Sequence, residues 1–473
     1  MSTSTDTSCN VAANVTFIDL ATYSELEAFY YGGMEAITWF VASVQKSNWF
    51  SFVPIVLRQQ GTFDFGQKNV SAHMNRSGDY VLSVFFRVQI PLIELYQSNA
   101  TAIYANASIA WTRNLMHNIF EKVQVTHNEL VVHEFDNFWM DFVYQFHLDA
   151  SKRVGYRNMI GDIFAMTNPQ NLNNSLGTGG FFTAPLPLWF TLDSGVALPV
   201  AALPFNDVRV NYCFRRVQEL IVLYPGDVGA AGARVATFAD IRVVGTANTV
   251  PAMVQPETYA HYVVVHNDER VKMGDAPRDM PIRQTQMVSA TPVNPSLANQ
   301  AFDLRLSHSI IAFFFVYRNK AIPSEWSNYT TDPNYVGADP ISYSRLRYEN
   351  TDRLAMASDY YSLTCPYYFS NAIPEQTGYH MWSYALLPWE VAKPSGSTNY
   401  SKLANVSIVH SLSAAAANAS NAAAPVDSQG NPILYPDAAG NLVAFPQSWD
   451  HIFQAANWNV VRVANGSLGQ PVL

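Results

Sequence analysis

The side chains best placed in this sequence to do chemistry are His117, His127 and His133, with Asp136 and Asp141 close behind them. Such a group could hold zinc, or move protons if two groups of unlike pKa were brought together. Neither pattern is met. The histidine intervals match no standard ligand spacing and fall in apolar, alternating sequence, which places them on strands or at interfaces. His133 and Glu134 lack the second histidine of a zinc-protease helix. Asp136 with Asp141, and Glu25 with Glu27, are paired carboxylates with no second group in sequence to shift either pKa. A nucleophile elbow, a phosphate loop and a dinucleotide fingerprint are all missing, and the glycines at 177, 179 and 180 read as turn residues. The mixed charge run at 266–272 reads as a solvated face. No catalytic residue, metal ligand or cofactor is expected.

Composition narrows the class further. Hydrophobic residues make up 49% of the 473 and aromatics 13%, with only 14% charged, enough for large cores and for charge-poor interfaces. The length suits two domains. A formal net charge of −9 argues against coating a nucleic acid, which takes clustered Lys and Arg. Three cysteines, Cys9, Cys213 and Cys365, lie too far apart for a disulfide framework or a zinc site, and a reducing compartment is expected. The polar first ten residues hold no signal sequence, and no run reaches the roughly 18 apolar residues of a membrane span. Asn-x-Ser/Thr triplets at Asn69, Asn106, Asn328 and Asn405 read as chance in an Asn-rich chain.

The elements that would position these side chains are mostly strands. Alternation at Tyr80, Leu82, Val84, Phe86, Val88 and Ile90 predicts a half-buried strand ended by Pro91, and Val208, Val210, Tyr212 and Phe214 predict another. Further strands are expected at 238–244, 309–317, 380–387 and 406–412. The 310–317 run is continuously apolar and should be buried on both faces. Asn- and Gly-rich residues 167–180 read as a loop. Thr22 as N-cap, Glu25 three residues on, and Gly32 with Gly33 predict one short N-terminal helix. The Ala-rich stretch 413–425 fits a helix or a mobile loop, and a loop crown is preferred. Pro251 and Pro256 bracket a link, giving an arm at 1–45, a first domain at 46–250 and a second at 251–473.

The stretch 378–402 carries a resemblance. Tyr384, Ala385, Leu386, Pro388, Pro394, Ser395, Gly396, Asn399, Tyr400, Ser401 and Lys402 resemble a segment late in the major capsid proteins of nucleocytoplasmic large DNA viruses, of the iridovirus and marseillevirus type. The opening at 17–33 and the segments at 76–80, 111–118 and 193–207 resemble the same family in the same order. So does the C-terminal strand, where Trp458 replaces a tyrosine. Departures are the Ala-rich stretch and the tract 177–195, which are expected to change loop shapes.

The resemblance implies an all-β double jelly roll, two tandem eight-stranded antiparallel sandwiches with a short N-terminal helix. It implies a homotrimer forming a pseudo-hexagonal capsomer in an icosahedral virion capsid, assembled in the host cytoplasm. The implied partners are neighbouring capsomers, minor capsid and penton proteins and an internal membrane layer, without direct nucleic-acid contact. Pro394, Ser395, Gly396 and Asn399 are expected to form a structural turn. Leu20, Tyr23, Leu26 and Tyr30 are the candidate inner face of the N-terminal helix. The other class open to an aromatic-rich β-sandwich is a carbohydrate-binding or carbohydrate-active protein, which exposed, coplanar Trp and Tyr on one sheet would favour.

Overall fold

The computed structural model of the chain describes residues 8–95, 107–172, 174–224, 234–235, 241–246, 250–275, 277–333, 335–436 and 442–470. Two compact units result, residues 1–48 and 49–473.

Among its described residues the first unit holds two helices, Ser8–Ala21 and Glu25–Tyr30, where one was expected. Thr22 is not the cap: its hydroxyl donates back to the Ile18 carbonyl at 2.8 Å and closes the first helix. Ser24 caps the second, and the Glu27 carboxylate, not that of Glu25, reaches its backbone N–H at 2.7 Å. Gly32 and Gly33 follow with φ of 113° and 101°.

The second unit contains two sandwiches built alike. In the first, the sheet ordered Phe50–Val56, Val254–Val265, Tyr80–Gln89, Phe181–Pro185 faces a sheet ordered Arg58–Gln60, Val70–His73, Val208–Phe214, Phe120–His127, Leu130–Phe135. Alternation fills the space between them. Phe86 lies 5.4–5.7 Å from Phe120, Tyr212 and Phe214, ring centre to ring centre. In the second sandwich, Arg278–Pro292, Trp449–Ala464, Ser309–Asn319 and His380–Ser383 face Asn299–Asp303, Val406–Leu412, Ile341–Tyr348 and Thr351–Ala357. In each leading sheet the sandwich's first strand pairs with its last, so the repeat invisible residue by residue is plain in the topology. Every strand pair in these sheets is antiparallel, and this is the double jelly roll.

Several expectations need correction, each for a local reason. Tyr80 and Leu82 do not share the core face of Val84, Phe86 and Val88, because the register against Val254–Val265 slips at Leu82. That bulge turns Val81 inward and Tyr80 and Leu82 outward. The strand predicted over 380–387 stops at Ser383, and the one over 238–244 is seen only at Ile241–Val243, since 236–240 fall outside the described residues. The Ala-rich stretch folds as the helix Ala414–Ala419: Ser413 Oγ accepts the Ala416 N–H at 3.1 Å, and Ala416 and Ala419 are buried. The strand Val254–Val265 lies beyond the border expected at 250 and pairs with both Phe50–Val56 and Tyr80–Gln89 of the first sandwich.

Candidate assembly surfaces and the joint between the sandwiches

Within the strand Ser309–Asn319, residues 310–317 are continuously apolar because they serve two cores. Ile310, Phe313, Phe315 and Tyr317 point into the second sandwich, while Ala312, Phe314 and Val316 belong to the core continuous with the first. What covers this outer face is an insertion that follows Leu130–Phe135: the helix Asn137–Phe142 and a π-helical turn Val143–His147. Trp139, Phe142 and Phe146 surround the Phe314 ring at 5.3–5.5 Å. Asp136 caps the insertion by accepting the Trp139 N–H at 3.0 Å, and accepts the Gln454 side-chain amide at 2.6 Å from the covered sheet. Burial pushes its pKa up, opposed by these bonds.

Beneath the insertion lies a buried polar cluster. The fully buried Asp141 accepts from Asn114 at 3.1 Å, His117 at 2.7 Å, Ser327 at 2.7 Å and Tyr329 at 2.9 Å. Ser327 and Tyr329 belong to the second half of the chain, so one carboxyl group ties the two sandwiches. A serine, a histidine and an aspartate thus meet, but the serine bonds the carboxyl group, not the imidazole, and all three are sealed from substrate. Nearby, Arg215 and Arg318 lie 3.6 and 3.9 Å from the Trp326 ring centre, a cation, ring, cation stack across the joint. Glu325 is raised to about 7 by burial.

The three histidines singled out above are not brought together. His117 bonds Asp141 and, at 2.8 Å, the Tyr156 hydroxyl. His127 packs on Trp189, and burial holds its pKa down at about 4. His133 meets the Thr285 hydroxyl of the second sandwich at 3.2 Å and is held at about 3 by burial and by the Arg283 charge. Among the described residues no cluster of three or more His, Cys, Asp or Glu could hold a metal ion.

The segment from Pro394 to Asn399 is held by local hydrogen bonds and one strand pairing. Ser395 Oγ accepts the Leu387 N–H at 2.9 Å, Asn399 Oδ1 accepts the Ser401 N–H at 3.0 Å, and Thr398–Asn399 pairs with Ser309 and Ile310. Gly396 has φ of 144°, and a Cβ there would press into the Tyr384 carbonyl oxygen. Gly396→Val should therefore lower stability by roughly 1–3 kcal/mol from backbone strain alone, with further loss from the clash. A melting temperature equal to the parent's would show the turn to be tolerant.

Of the four candidate arm residues, Leu20 sits on the first helix, Tyr23 between the helices, and Leu26 and Tyr30 on the second; all are exposed by 67–73%.

Two outward-facing surfaces went unread in the sequence. On the leading sheet of the first sandwich, the residues alternating with the core row are aromatic: Phe85 stacks on Tyr259 at 5.2 Å, His261 lies 6.4 Å from Phe52, and Arg87 covers Phe181 at 4.1 Å. The available signal was Phe85, an aromatic ring in an outward row otherwise made of Ser83, Arg87 and Gln89. The second surface is the π-helical turn Tyr360–Thr364 with the helix Cys365–Phe369, which exposes Leu363, Tyr367 and Tyr368. By contrast, no strand among the described residues carries an exposed tryptophan, and the sugar-platform alternative is not favoured.

Comparison with known proteins agrees with this architecture. A family model described as "Major capsid protein N-terminus" matches residues 38–266, and one described as "Large eukaryotic DNA virus major capsid protein" matches 269–469. The major capsid protein of Costelytra zealandica iridescent virus is 41% identical over 98% of this chain and 99% of its own. That of Lymphocystis disease virus 1 is 37% identical over 97% of each. Among solved structures, the PBCV-1 virus capsid protein superposes with a TM-score of 0.70 at 17% identity, covering 92% of this chain and all of its own. The Faustovirus major capsid protein gives 0.66 at 11% identity, covering 93% and 94%. Matched over nearly its whole length, with the two-sandwich fold that the match requires, the chain belongs to the major capsid protein family of large eukaryotic DNA viruses.

Proposed function

We propose that the chain trimerises into a capsomer whose six sandwiches, two per copy, make a pseudo-hexagonal block in the virion shell. Its place in a capsid follows from the family; the trimer is our reading. The observation that carries it is the duplicated sandwich: two bodies of one strand order, held rigidly by the buried joint, let three chains imitate sixfold packing while the true symmetry is threefold. Its role is read as structural and non-enzymatic from the family to which it belongs. The border between the two sandwiches is best placed at the helix Asn267–Asp275, after Val254–Val265 has completed the first.

The arm, with Leu20, Tyr23, Leu26 and Tyr30 exposed, is read as the inner-face element that contacts minor capsid proteins or an internal membrane layer. A different protein is needed at the fivefold vertices, and assembly in the host cytoplasm fits the reduced cysteines Cys213 and Cys365. With a net charge of −9 the shell is expected not to bind the genome directly. Light scattering should report three chains per particle, unchanged by chelator or nucleotide. A monomer across the micromolar range, or dissociation by chelator, would overturn the trimer.

A further inference from the structure

The way one sandwich covers the other within the chain indicates how one copy covers the next. The leading sheet of the second sandwich has its outer face roofed by the helical insertion that follows the last strand of the first sandwich's opposing sheet. The leading sheet of the first sandwich has the same strand order, first, last, and two inner strands, and its outer face carries the rings of Phe52, Phe85, Tyr259 and Phe181 among Ser83, Arg87, Glu257 and His261. That face is open: Phe52 is 63% exposed and Phe181 42%. The second sandwich in turn carries its own insertion at the matching place, directly after Thr351–Ala357. Both insertions combine a π-helical turn with a short helix, and both begin with an aspartate accepting a backbone N–H, Asp136 from Trp139 and Asp359 from Tyr360. The first insertion buries Trp139, Phe142 and Phe146; the second leaves Leu363, Tyr367 and Tyr368 exposed by 53%, 67% and 69%.

We propose that the second insertion, through Leu363, Tyr367 and Tyr368, seats on the Phe52, Phe85, Tyr259 and Phe181 face of the first sandwich in a neighbouring copy. This rests on the capsomer reading above and names the contact that builds it. Edge-to-face and stacked ring pairs suit two aromatic surfaces, and the exposed Asp359 brings a carboxylate toward the Arg87 cation on the receiving sheet. The contact joins unlike patches, so it runs head to tail and is self-limiting only if the ring closes. Closure at three copies makes every sandwich contact around the block equivalent: insertion on sheet within a chain, then insertion on sheet between chains.

Because the patches differ, a mixing experiment reads the pairing directly. One full-length variant carries Phe52→Asp and Phe85→Asp, the other Tyr367→Asp and Tyr368→Asp. Each alone should be monomeric by light scattering with the parent's circular dichroism, and an equimolar mixture should form a heterodimer through the one intact pairing. Variants that still trimerise, or a mixture that stays monomeric, would overturn the proposal. A photoreactive benzoylphenylalanine in place of Phe85, in the otherwise unaltered chain, covers the case of a misfolded variant. Its adduct should fall on residues 359–373 of another copy; an adduct on residues 8–48 would assign the face to the arm and refute the pairing. If the parent chain itself never associates, the capsomer reading fails. If the parent trimerises and both variants do too, only this contact fails.

Discussion

Taken from pH 7.5 to pH 5, the protein should lose about 5 kcal/mol of folding stability, a large share of the 5–15 kcal/mol typical of folded proteins. The loss comes from histidines held neutral in the fold, four of them buried and His147 half-buried. His127 and His147 are held at about 4, His133 and His451 at about 3, all chiefly by burial, and His410 is held well below its ordinary value. In the unfolded chain each returns to about 6.5. Below that pH the unfolded state binds protons that the folded state refuses, so stability is complete above 6.5 and falls as the pH drops toward 3–4. Each of the four histidines with a defined value removes about 2 kcal/mol by pH 5, roughly 8 in all, and His410 acts in the same direction.

Buried carboxyl groups oppose this. Glu325 at about 7 favours the folded state as it protonates, by about 3 kcal/mol at pH 5, and Asp136 and Asp162 are raised in the same sense. The four histidines with defined values outweigh Glu325, about 8 kcal/mol against about 3. Urea denaturation midpoints measured across this range should fall as the pH drops below 6.5, and a flat profile would contradict the burial of these side chains.

Asp141→Ala should destabilise the chain by about 3–5 kcal/mol, because it removes the acceptor from Asn114, His117, Ser327 and Tyr329 at once and leaves four donors in a buried joint. The loss should appear first as separation of the two sandwiches. Limited proteolysis between them, at residues 266–277, should accelerate before either β-core melts. A destabilisation below about 1 kcal/mol would mean that water or a neighbour replaces the lost acceptor.

How far the sequence could be read follows from the range of each determinant. Val208–Phe214 was legible because its alternation is local and its core face unbroken. The strand at Tyr80–Gln89 was half legible: its existence follows from the pattern, but the bulge at Leu82 depends on the facing strand, far away in sequence. Continuous burial of Ser309–Asn319 was legible as a two-sided strand, though not which body lay on its second side. Helix Ala414–Ala419 was missed because Asn and Ser in the Ala-rich stretch suggested a loop, whereas Ser413 acts as its cap and Ala416 and Ala419 pack inward.

The joint was out of reach altogether. Asp141 and Ser327 are 186 residues apart, and only folding reveals that the carboxylate set aside as a catalytic candidate fastens two sandwiches. At Gly396 the constraint is local: a φ of 144° at a glycine beside Ser395. The aromatic outer row of the first sheet was present in the text as Phe85, Tyr259 and Phe181, but it becomes a surface only once three strands are paired.

The central claim is that one chain with two like sandwiches supplies the threefold block of a viral shell, and imaging the purified full-length protein by single-particle electron microscopy tests it most directly. The account predicts a threefold particle of three chains, with six upright lobes in a pseudo-hexagonal outline. A population of single two-lobed molecules, or a twofold dimer, at micromolar concentration would contradict it.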